Sequence, residues 1–205
     1  MSSGISFICL ITLPMVAGII IVAPIFTPWF LGPGFDDTAI LLIILSCLLF
    51  LIGIGRVTGS CLLAVKKEKS YTRNVCIGAA VNFLLNLWLI NRFQAIGAAI
   101  ASVAAELIVT SLMFWECRNY LSVGKCIRKA LLYFLCASVM FGCLIVEKKY
   151  ISFSTFWNLS ILSVTGAVVY GAVLLVIKDE LVCGSIRTFL QKLSKSTAAQ
   201  SAKKG

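Results

Sequence analysis

Six long apolar runs, each closed by charged or turn-forming residues, limit this chain's fold more than any single motif does. They lie at about 5–30, 38–65, 75–90, 95–115, 129–146 and 156–177. Roughly 20 mainly apolar residues cross the ~30 Å hydrocarbon layer as a helix. The third run is short for this, and it borrows residues from Tyr71 to Asn74. Backbone groups in lipid must bond within their own segment, so runs of this length read as helices. Apolar residues make up 60% of the chain and charged residues 13%, well away from the soluble average. The expected fold is all-α, a polytopic membrane bundle with six transmembrane helices over residues 1–178. The first run lacks a basic start and a small-residue cleavage signature, so it reads as a span and not as a removable leader.

The charges fall between the runs. Lys66, Lys67, Lys69 and Arg73 follow the second, Arg118, Lys125, Arg128 and Lys129 follow the fourth, and six more basic residues follow the sixth. The alternate side holds Arg92, Lys148 and Lys149. By the positive-inside rule the rich side is cytoplasmic, with both termini there. The net charge of +10 is therefore a topology signal, and nucleic acid is not an expected partner, whereas membrane lipid is. In the tail, 179–205, the spacing of Leu181, Ile186, Phe189 and Leu193 predicts a short amphipathic helix on the inner leaflet.

Within the first run Pro14, Pro24 and Pro28 each remove a backbone donor and favour a kink. Gly32-Pro33-Gly34 then ends the helix. Trp29, Trp115 and Tyr150, near run ends, read as interface anchors.

The chain has no histidine, and its nine cysteines form no C-x-x-C pair. No metal, no cofactor and no catalytic residue is expected, and no enzyme. Two ionisable residues sit inside apolar runs, at a cost between ~3 and more than 10 kcal/mol if left in lipid. Arg56, toward the cytoplasmic end of the second run, reads as a contact to an anionic substrate group or as a side chain snorkelling to the headgroups. Glu106, midway along the fourth, reads as a coupling carboxylate, a partner to Arg56, or a structural carboxyl. Asn82 and Asn86 lie four apart on one helix face and are expected to tie the third span to a neighbour. Gly97, Ala101 and Ala105 form a small-residue ridge, and Gly53, Gly55 and Gly59 admit a neighbour or soften the second span.

The order of features over residues 10–115 resembles the carboxy-terminal half of Wzx-type polysaccharide flippases, which belong to the same superfamily as the MATE drug exporters. The resemblance rests on Leu13-Pro14 with Gly18, Trp29-Phe30-Leu31-Gly32-Pro33-Gly34-Phe35, and Gly59-Ser60-Cys61-Leu62-Leu63-Ala64. It continues through Lys66-Lys67-Glu68-Lys69, Asn82-Phe83-Leu84-Leu85-Asn86 and Ala95-Ile96-Gly97-Ala98-Ala99. The family has glycine where this chain has Gln94. The resemblance implies one lobe of a MATE-like two-lobed transporter, a lipid-linked oligosaccharide as substrate, and an N-terminal lobe or second half as partner. The alternatives are a cation-coupled multidrug exporter of the same superfamily and a non-transporting, truncated membrane protein.

Overall fold

The computed structural model describes residues 2–150 and 155–177, and every long element among them is a helix. These are α1 (Ser2–Leu31), α2 (Asp36–Ala64), α3 (Glu68–Cys117), α4 (Val123–Tyr150) and α5 (Thr155–Ile177), with one 3₁₀ turn at Arg118–Tyr120. Among the described residues, five helices are long and apolar enough to cross a membrane. The chain is a multi-pass membrane protein. The amphipathic tail helix and the boundary at 178 lie outside the described residues.

Six runs become five elements because no loop separates the third run from the fourth. Asn91, Arg92 and Phe93 stay helical, and Gln94 alone leaves the helix, at φ +49° and ψ −126°. Those angles are close to the first central position of a type II′ turn, which glycine fills without strain. α3 has 50 residues, about 75 Å if straight, more than twice the hydrocarbon thickness. It folds back instead. Arg73 pairs with Glu116, Gly78 abuts Val109, the Asn82 amide reaches Ser102, and Gly97 packs on the Leu89 carbonyl. The ladder makes α3 an antiparallel hairpin with an outgoing limb, 68–93, and a return limb, 95–117.

Helix ends also run past the apolar stretches: α3 starts at Glu68 and α4 at Val123. Helical bonding continues into the polar flanks because it still satisfies the backbone there. α1 ends as its sequence requires, with Gly32 at φ +89° and Gly34 at φ +95°.

Helix α1 is the centre of the bundle, touching α2, α4 and α5, while α2 is held between α1 and the α3 hairpin. Around α4, Tyr133, Cys136, Met140 and Leu144 are buried in one core with Leu162, Tyr170 and Leu174 of α5. The three prolines sit inside a continuous α1. Pro14 has no N–H, so the carbonyl four residues earlier, at Leu10, loses its helical donor. The Tyr170 hydroxyl of α5 donates to that oxygen at 2.8 Å. Aromatic rings collect at one end of the bundle, where Phe26, Trp29 and Phe30 of α1 meet Phe156 of α5, with Trp29 and Phe156 6.1 Å apart. Large apolar side chains such as Leu87, Trp88, Leu131 and Val168 face outward, as a lipid-bathed surface requires.

Candidate substrate cavity

Helix α2 meets α3 along a strip of glycines. A methyl group on Gly55 would lie 2.9 Å from both Glu106 Oε1 and Thr110 Oγ1, and one on Gly59 would lie 2.9 Å from the Tyr71 ring. Gly53 points the other way, toward Ile8 of α1. These glycines act by close approach, which settles the choice left open by the sequence. Gly97, Ala101 and Ala105 are buried in the same manner.

Between this strip and the hairpin lies a cavity of about 830 Å³. Its wall includes Arg56, Glu106, Asn82 and Asn86, so the structure gathers all four sequence-marked polar residues at one place. Arg56 is exposed to the cavity side, and among the described residues no carboxylate pairs with it. Glu106 instead sits against α2, with the Thr110 hydroxyl 3.4 Å from Oε1 and 3.2 Å from the Leu51 carbonyl. The expected Arg56–Glu106 partnership is not formed, because Gly55 lets the carboxyl dock onto the backbone of α2 beside Thr110.

Toward the turn at Gln94 the wall changes chemistry. Asn86 Nδ2 donates to Asn82 Oδ1 at 2.7 Å, Asn82 Nδ2 reaches Ser102 Oγ at 3.5 Å, and Ser102 donates to the Ala98 carbonyl at 3.0 Å. Asn82 thus reaches the return limb, whereas Asn86 bonds to Asn82 on its own limb. Sequence reading did not single out Ser102, Thr110 or Tyr71. Small hydroxyls commonly satisfy themselves on their own helix, so their presence alone carries no signal.

The hairpin's open end is clamped by charge. Arg73 and Glu116 form an ion pair, Lys67 lies 5.4 Å from the Tyr120 ring centre, and Arg118 lies 3.9 Å from that of Trp115. Glu116 and Glu147 lie near helix ends, yet each has one oxygen buried in protein. Glu147 Oε1 accepts from Thr165 Oγ1 at 3.2 Å beside a more apolar groove of about 690 Å³.

In fold the chain is similar to the lipid II flippase MurJ in an inward closed conformation, with a TM-score of 0.72 over 85% of this chain and 37% of that one. Identity over the match is 20%, so the likeness is one of fold. In sequence, 90 residues are 38% identical to a protein of Escherichia coli (strain K12) named "Putative O-antigen transporter". The resemblance to the polysaccharide flippases holds. That match covers 43% of this chain, and it spans 22% of the transporter's length. No protein-family model matches the chain. Of these two proteins, one is named as a flippase and the other as a transporter.

Proposed function

We propose that this chain is a lobe of a flippase that moves polyprenyl-diphosphate-linked oligosaccharide repeat units across the bacterial cytoplasmic membrane, for capsule, O-antigen or exopolysaccharide synthesis. In this reading each limb of α3 crosses the membrane, giving six crossings over 1–178, with both termini and the tail 179–205 in the cytoplasm. A second, N-terminal lobe closes the cavity from the other side, as alternating access requires. The observation that carries the reading is a cavity of about 830 Å³ holding an arginine that no carboxylate among the described residues neutralises. A guanidinium offers a fork of donors matched to phosphate oxygens. In cells whose surface polysaccharide depends on this chain, Arg56→Ala abolishes the polymer while the protein stays in the membrane. Polymer at the wild-type level in that strain removes Arg56 from the mechanism.

Glu106 supports the alternative of a cation-coupled drug exporter, because the Thr110 hydroxyl at 3.4 Å adds a second oxygen ligand beside the carboxylate. Drug resistance that depends on expression and is lost in Glu106→Gln, with surface polymer intact, decides for the exporter.

A further inference from the structure

The hydrogen-bond chain along the outer half of the cavity has a fixed direction. Ser102 lies in a helix and gives its only hydroxyl proton to the Ala98 carbonyl. Its oxygen can then only accept, so the amide nitrogen of Asn82 must face it. That leaves Asn82 Oδ1 as an acceptor, which the Asn86 amide nitrogen fills. The chain therefore terminates on Asn86 Oδ1, a buried carbonyl oxygen of a cavity-lining residue with no hydrogen-bond partner among the described residues. Backbone geometry at Ala98 thus dictates, through three side chains, that an acceptor waits at the end. A buried acceptor without a donor is costly, and a ligand that supplies one recovers that loss on binding.

We infer that Asn86, oriented by Asn82 and Ser102, forms a second subsite that accepts a hydrogen bond from an uncharged hydroxyl- or amide-bearing part of the ligand, such as a sugar. This rests on the flippase reading above. The subsite is opposite in sense to Arg56, which can only donate. The two are separated along the cavity. Arg56 follows Gly55, which abuts Glu106, whereas Asn86 lies one turn beyond the Asn82–Ser102 level toward the Gln94 turn. Two helical turns amount to about 11 Å. A ligand with an anionic end and a glycosyl end is held in one direction only, its anion toward the basic loops and its sugar toward the Gln94 turn.

The test uses the full chain in nanodiscs of plain phospholipid and three probes: polyprenyl diphosphate, the same lipid bearing one N-acetylhexosamine, and a neutral alkyl glycoside. Wild-type protein binds the glycosylated lipid about five- to tenfold more tightly than the sugar-free one, the worth of one well-made hydrogen bond to a buried acceptor. Asn86→Leu removes that preference, while Asn86→Gln, which keeps the carbonyl, retains part of it. Arg56→Ala weakens both lipids and keeps their ratio. A ratio that survives Asn86→Leu, or that is absent in wild type, overturns the subsite. If neither diphosphate binds, the flippase reading falls; the subsite then stands or falls on whether the alkyl glycoside's binding is lost in Asn86→Leu.

Discussion

The two sides of α1 and α2 are built on opposite principles. On the α4–α5 side, large side chains fill the space: Tyr133 and Leu144 are almost wholly buried, and Met140, Leu162 and Leu174 close around them. On the α3 side, glycines bring backbones together at some levels and leave a polar cavity at others. The first side is a core that resists rearrangement, because native-density packing has few alternative solutions. The second is held by small-residue contacts and by hydrogen bonds worth about 0.6 to 2 kcal/mol each in a membrane. A protein that must change shape around a substrate can do so along that weaker seam.

Four substitutions probe this contrast, beginning with the largest effect. Arg56→Ala lowers transport at least tenfold, corresponding to the roughly 1.5–3 kcal/mol of a charge-assisted hydrogen bond, with thermal stability unchanged. A matching drop in melting temperature would make Arg56 a packing residue. Gly97→Ala places a methyl 2.3 Å from the Leu89 carbonyl, so it destabilises the hairpin by about 1–3 kcal/mol, read as loss of thermal stability in detergent. Unchanged stability would mean that the limbs are not in contact there. Gln94→Gly has the opposite sign and stabilises by about 1 kcal/mol, because glycine alone accepts that φ and ψ without strain. Tyr170→Phe costs about 0.5–1.5 kcal/mol on the core side and leaves substrate binding untouched, which a thermal shift together with a binding assay resolves.

Hydropathy made α1, α2, α4 and α5 legible, since each is one apolar run between charged flanks. Inside α3 it marked the break at Asn91–Gln94, where Asn91-Arg92-Phe93 stays helical and Gln94 alone leaves the helix. Polarity marks where a chain leaves the membrane, and it does not mark where a helix stops. Of the cavity, Arg56, Glu106, Asn82 and Asn86 stood out individually because each is expensive in hydrocarbon. Their convergence did not, because it depends on which face of α2 carries Gly55 and Gly59 and on how closely α3 doubles back. The glycines were visible in the sequence, but their partners were not.

The bond from Tyr170 to Leu10 also bears on mechanics. A continuous helix is a stiff rod because each turn is stitched to the next, and at Pro14 one stitch is missing. The missing stitch is replaced from another helix, through a side chain that can swing away without disturbing any backbone bond. Stiffness at that point of α1 is therefore a property of how α5 is seated. A shift of α5 is felt at that point of the central rod through its phenol.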